Sequence, residues 1–541
     1  MQRTTEVVTT EASTDRAQRL LFWHRKQRKR AASPHLSEHY RRYLEDVGAF
    51  LVLPKSTTDA LLPIYTASLD DLIPIMDGAS VVRDQSNGQS SNYLVRAICL
   101  VVCKSKQASP FLQLVEGGPI LEPLEFASKL LEGLDAAVKA NLEPDRVTKI
   151  QILTLMHLHN DGLAGVDRSS SYLSQAICEA WSISLHLKVP GSPEQKRCDF
   201  LWWTLRNFDR LNKPIMAAAP FMIDDTDVAV DRISPREDDY RSQVMSISLT
   251  LGDLMTTATR VYKASSKATV DLCDDFPSLS ELTSGTAFER FHRSHAAYLE
   301  IWYHVAAMLS CRYSGPGRPQ YSRRLASADR VISIISQEGS ERLPPLPLIP
   351  YAISMATTVI YRALRDERRN TSKACEDLGL CCNALEILSE RWTSVKGVAR
   401  LAKRLLRFID RGITQVQLGD KNECLCRDCG SHGTAVSAVS RPLEIAPEGR
   451  NETVHILQPT TPIPCLVDSS QTLHQENGAG IDQLVQLQPG DSWENFDVSY
   501  TQLDRAFHDM FDDGMPDVFR DPAAWDFIEV PNEAYSHWST Q

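Results

Sequence analysis

The chain has 541 residues, 43% of them hydrophobic, and a formal net charge of −11. Its length points to two or three domains, or to one large domain with tails. Its longest apolar run, Ala97 to Cys103, is far shorter than the ~20 residues that cross a bilayer, and Met1 to Ala17 lacks the apolar centre of a secretory signal. Membrane-spanning and secreted classes are therefore set aside, and no membrane partner is expected. Thirteen scattered cysteines, an odd count, favour free thiols in a reducing compartment.

Residues 1–35 form a basic head, expected to be mostly disordered. Between Arg16 and Arg30 it carries seven cations, and Arg25, Lys26, Arg28, Lys29 and Arg30 nearly adjoin. Such a run reads as a nuclear import signal, or as an arm that contacts phosphate without reading sequence. A solvated charge run is the plain alternative.

Residues 36–417 read as a helical body, so the fold class is all-α. Over 36–52 the apolar positions Leu36, Tyr40, Tyr43, Leu44, Val47 and Leu51 recur at helical spacing. Residues 92–106 are apolar nearly all round, which predicts a central buried helix. A helix pair follows at 125–140 and 145–159, and another helix begins at Ser169. Further helices are expected at 195–211, 242–263, 286–312, 320–338, 349–366, 370–391 and 394–416, with a loop at 265–285. His157 and His159 project roughly 200° apart on a helix and cannot chelate one ion.

Within 195–231, Trp202, Leu205, Phe208 and Leu211 share a helix face, with Trp203 beside them and Asp209-Arg210 close behind. A buried helix whose Asp and Arg satisfy each other or the backbone explains these residues without catalysis. Beyond lie Ala218-Ala219-Pro220 and Asp225-Thr226-Asp227-Val228. This order resembles the motif of the middle regulatory domain of fungal zinc-cluster transcription factors. That motif is a tryptophan-rich helix, an Asp-Arg pair, a Gly-Arg-Pro turn and an acidic Asp-x-Asp. Leu94 to Lys106 and Tyr172 to Leu187 look like the same family. The branch most resembled is the cutinase transcription factor 1 beta-like one, and the likeness covers roughly 40–415. The resemblance singles out Trp202, Trp203, Asp209, Arg210, Pro220, Asp225 and Asp227. Two departures stand out. Ala-Ala-Pro replaces the glycine-led turn. The family's DNA-binding module needs six cysteines within about 30 residues, whereas the first cysteine here is Cys99, so the zinc cluster is read as absent.

Residues 418–490, rich in Pro, Ser, Thr and Gln, read as a disordered linker. At its start, Cys424, Cys426, Cys429 and His432 could bind one zinc, but Cys-x-Cys is tighter than most structural zinc spacings, so free thiols in a loop are the preferred reading and no metal is expected. The tail, 491–541, holds twelve carboxylates against two arginines. Trp493, Phe496, Phe507, Phe511, Trp525 and Phe527 are interleaved with them. Mutual repulsion would keep these rings in solvent for a partner's groove, the composition of an activation segment. Plain solubilisation is the alternative.

No Gly-x-Ser-x-Gly elbow, P-loop or dinucleotide fingerprint is present, so neither catalysis nor a cofactor is expected. The resemblance implies a nuclear regulator of a metabolic or secondary-metabolite gene set. Such a regulator would work with other transcription factors or coregulators and reach DNA indirectly or weakly. A small-molecule effector and homo- or heterodimerisation stay open. The alternative is a helical scaffold or inhibitor that heterodimerises with a related factor and binds no DNA.

Overall fold

The computed structural model describes Arg28 and residues 36–160, 165–189, 191–216, 221–259, 276–311, 315–407 and 409. Among these the chain is all-α, with one isolated bridge between Arg236 and Asp239. The helices are α1 (Glu38–Asp46), α2 (Lys55–Ser68), α3 (Gly78–Ser86), α4 (Asn92–Val102), α5 (Pro123–Lys139), α6 (Arg146–His157), α7 (Gly165–Ser182), α8 (Gln195–Met216), α9 (Tyr240–Ala258), α10 (Leu279–Leu282), α11 (Arg293–Ser310), α12 (Pro319–Glu338), α13 (Leu348–Arg365) and α14 (Thr371–Ser389). Residues 396–407 are helical as well. Of the chain's two compact units, one holds every described residue, and Ile413–Ser499, the other, lies outside them. No helix among the described residues is long and apolar enough to cross a membrane.

Helix α4 shows how the sequence sets the core. The Ser91 hydroxyl accepts from the Leu94 N–H at 3.3 Å and so caps the first turn. Every residue from Leu94 to Val102 is buried, because a helix apolar all round has no side to give to water. Helices α2, α5 and α6 pack on it. From α6 onward each long helix packs on the next, α6 on α7, α7 on α8, α8 on α9, α9 on α11, then α12, α13 and α14 in turn.

Helix α4 also carries a charge into this core. Arg96 of α4 is fully buried. It donates to the carbonyls of Ala49 at 2.8 Å and Gly48 at 3.0 Å. Burial pulls its pKa down to about 10. Gly133 of α5 faces this staple. A Cβ there would stand 2.4 Å from Arg96 Nη2 and 2.5 Å from the Gly48 carbonyl oxygen, so only glycine fits.

Helices α2 and α3 occupy stretches for which the sequence reading named no element, and two local expectations are corrected. The helix expected at 286–312 begins at Arg293, after a separate 3-10 turn at Phe288–Arg290. The loop expected over 265–285 contains α10, fixed by a reciprocal capping box between Ser278 and Glu281.

Candidate functional site

Helix α8 lies between α7, α9 and the loop that follows it, and it is buried on every side from Phe200 to Leu211. Trp202 is 0% exposed. Its ring meets Trp181 edge-on at 4.9 Å, with His186 at 5.7 Å. Trp203 packs beside it and donates from Nε1 to the Asp231 carbonyl at 2.9 Å.

The polar residues of α8 grip the same loop. The Asp209 carboxylate accepts the Met222 and Ile223 N–H groups, each at 3.1 Å. It also takes Arg210 Nη1 at 2.8 Å. Arg210 Nη2 donates to the Ile223 carbonyl at 2.9 Å and to Asp225 at 3.2 Å. One turn earlier, Arg206 grasps Asp225 with Nε and Nη2 at 3.1 and 2.6 Å, and it also meets Asp253 of α9. Asp253 in turn accepts from Arg232 at 2.7 Å. The Ala229 and Val230 N–H groups close the loop on the His186 carbonyl at 2.9 and 3.1 Å.

Electrostatics follow from burial against pairing. Burial disfavours the Arg206 charge, but Asp225 and Asp253 outweigh it and raise the pKa. Burial lowers the pKa of Arg210, and repulsion from Arg206 adds to the effect. Burial raises Asp209, against the opposing pull of the Met222 and Ile223 N–H groups. For Asp225 the Arg206 fork prevails over burial and lowers the pKa. Each carboxylate is thus already engaged by donors, so this arrangement holds a loop and offers no free base or nucleophile. Beside it, a cavity of about 20 Å³ is lined in part by Thr204, Asn207, Ser248 and Trp302, room for roughly one water molecule.

The structure therefore brings Trp203, Asp209, Arg210 and Asp225 together on one loop, with Trp202 packed beneath. Asp227 is exposed, its backbone N–H bonded to the Asp224 carbonyl at 3.2 Å. Pro220 lies outside the described residues. Two members escaped the sequence reading. Arg206 was signalled by its place four residues before Arg210, on the same helix face. Asp253 arrives from another helix, and no local pattern marks it.

Of the basic head, Arg28 is placed. Its Nε and Nη2 reach the two oxygens of Asp145 at 2.9 and 3.3 Å, and its Nη1 meets Glu194. Arg25, Lys26, Lys29 and Arg30 lie outside the described residues, as do Cys424, Cys426, Cys429 and His432 and the tail aromatics Trp493, Phe496, Phe507, Phe511, Trp525 and Phe527. Among the described residues no group of three or more His, Cys, Asp or Glu side chains is placed to hold a metal ion. His157 and His159 are both buried.

No family model matches the chain. Over 202 residues, 36% of its length, it is 26% identical to Cutinase transcription factor 1 alpha of Fusarium vanettenii, and it spans 22% of that protein. The chain is thus similar, over about a third of its length, to a protein named as a transcription factor.

Proposed function

We propose that this chain is a transcription regulator that acts in the nucleus through a helical regulatory body. The observation that carries the reading is the likeness to a cutinase transcription factor over 202 residues. The clamp on α8 supports it, because tryptophans, Asp-Arg pair and downstream aspartate, separate in the chain, serve one loop. A motif whose parts depend on each other in space is a unit of fold, and the resemblance assigns that unit to regulatory domains.

On this reading the chain controls a metabolic or secondary-metabolite gene set and belongs to the cutinase transcription factor 1 beta-like branch. On the same reading it reaches DNA through a partner. The basic head serves nuclear import, and the acidic-aromatic tail engages coregulators. No enzymatic step is assigned, since the clamp's carboxylates are saturated by donors.

Chromatin occupancy of the tagged chain in its native cell tests this. Focused peaks at promoters are expected, with the underlying sequence identifying the partner that reads DNA. No enrichment under any growth condition would remove the regulator reading and leave a scaffold or inhibitor that heterodimerises with a related factor.

A further inference from the structure

We propose that the cationic row on the helix at 396–407 is a contact surface for the phosphate backbone of duplex DNA, used without reading bases. That the polyanion is DNA rests on the regulator reading above; the row itself rests on the structure. Lys396, Arg400, Lys403, Arg404 and Arg407 fall in a stretch with no acidic residue among them. At 3.6 residues per turn they share a sector roughly 100° wide. Arg400, Lys403 and Arg407 are exposed, and Lys396 and Arg404 are half-buried. The opposite sector is apolar: Val398, Leu401, Ala402 and Leu405 are all buried. That face is used by the body, where the Cys382 thiol of α14 donates to the Ala399 carbonyl at 3.9 Å. Glu386 of α14 pairs with Lys403 and ties one member of the row to the same helix.

The geometry selects the partner. At ~1.5 Å of rise per residue, the row runs about 16 Å from Lys396 to Arg407. Over that length one strand of B-DNA presents about five phosphates, one per ~3.4 Å. Cations set in a straight row on a rigid helix match a rigid row of negative charge. The three guanidinium groups also suit the paired oxygens of phosphate. A bilayer is a poor fit, because a basic helix holds a membrane by sinking its apolar face, and here that face is buried. An acidic peptide docks through a groove for its apolar side chains as well as through charge, and the cationic sector holds no apolar side chain. Phosphate contacts fix position and carry no sequence information, so base recognition stays with the partner factor.

The test uses the purified full chain and a short mixed-sequence duplex with a fluorescent end, followed by anisotropy between about 50 and 200 mM salt. The head's cations attract DNA as well, so every measurement is made with Arg25→Ala, Lys26→Ala, Lys29→Ala and Arg30→Ala in place. On that background, Lys396→Gln, Arg400→Gln, Arg404→Gln and Arg407→Gln together discharge the row and spare Lys403 with its Glu386 pair. Arg400→Lys, Arg404→Lys and Arg407→Lys keep its charge. The unfolding temperature reports the fold of each variant. Unlabelled duplex and poly-glutamate, at equal charge, compete for the site.

Discharge is expected to weaken binding at least about tenfold and to make the slope of log affinity against log salt shallower by about 2 to 4, at ~0.9 per phosphate contact. The lysine variant should keep most of the affinity and the slope. Unchanged affinity and slope in the discharged variant, with its fold intact, overturn the proposal. Poly-glutamate that displaces the labelled duplex better than unlabelled duplex does also overturns it, in favour of an acidic peptide. Row-dependent duplex binding in a chain that shows no chromatin occupancy removes the regulator reading and, with it, DNA as the natural partner.

Discussion

Asp225 follows Arg206 by 19 positions and closes on it from the loop, its two oxygens 3.1 and 2.6 Å from the arginine Nε and Nη2. The pair is lopsided. The arginine side chain is 2% exposed, whereas Asp225 and Asp253 are 45% and 46% exposed. Removing the buried partner therefore costs more than neutralising either acid. Arg206→Ala is expected to destabilise the body by about 3 kcal/mol, through a cavity and the loss of an anchored pair. Asp225→Asn leaves Asp253 in place and is expected to cost about 1 kcal/mol. Denaturant midpoints of the two variants check the order, and equal losses would contradict the asymmetry.

Glycine positions on two helices separate steric need from helix preference. Gly133→Ala pushes a Cβ into the Arg96 staple, against a backbone oxygen that cannot step aside. A loss of roughly 2 kcal/mol is expected. Gly379 on α14 has open space where its Cβ would go, so Gly379→Ala is expected to stabilise by about 0.5–1 kcal/mol. Melting temperatures that move in the same direction for both would refute this.

Acid sensitivity should begin near neutrality. Burial holds the His157 imidazole neutral and lowers its pKa from 6.5 to about 4, against the support of the Ser169 carbonyl. The unfolded chain therefore takes up the proton first. Stability is fully present above the unfolded pKa and is lost as pH falls through the window from 6.5 to about 4. At most about 3 kcal/mol is involved. His295, whose pKa burial also lowers, adds to the slope. Urea midpoints from pH 7.5 to pH 5 measure it, and His157→Gln should flatten the curve. An unchanged slope in that variant would remove His157 as the cause.

The tail is tested apart from the body. Fused to a heterologous DNA-binding domain, residues 491–541 are expected to activate a reporter. Replacing Trp493, Phe496, Phe507 and Phe511 with alanine should abolish that activity, because the rings are the anchors that a partner's groove takes. Undiminished activity would leave charge alone as the active ingredient.

Much of the fold is legible from spacing, for a reason that particular helices display. In α4 the apolar residues dominate so strongly that sequence and burial agree. Helix α2 carries Pro63 in its interior and a Thr57-Thr58 pair, poor helix formers that packing against α4 overrides. The Ser278-x-x-Glu281 box was in plain view, but the Ser- and Asp-rich surroundings of α10 pointed to a loop. At the site, the tryptophans and the Asp-Arg pair could be seen, because they sit on one helix. What they hold could not. Asp253 comes from another helix, and the contact between Arg28 and Asp145 spans 117 positions, a closure that only tertiary packing decides.

The loop after α8 is moored at both ends. Asp209 holds Met222 and Ile223, and His186 and Trp203 hold Ala229, Val230 and Asp231. A single peptide-bond cut between Asp227 and Val228 consequently leaves each new end tied to a different part of the same scaffold. The protein is divisible there: two separately expressed pieces should reassemble and co-elute as one species on gel filtration. Trp203→Phe, which frees the Asp231 mooring that joins the two pieces, should weaken their association.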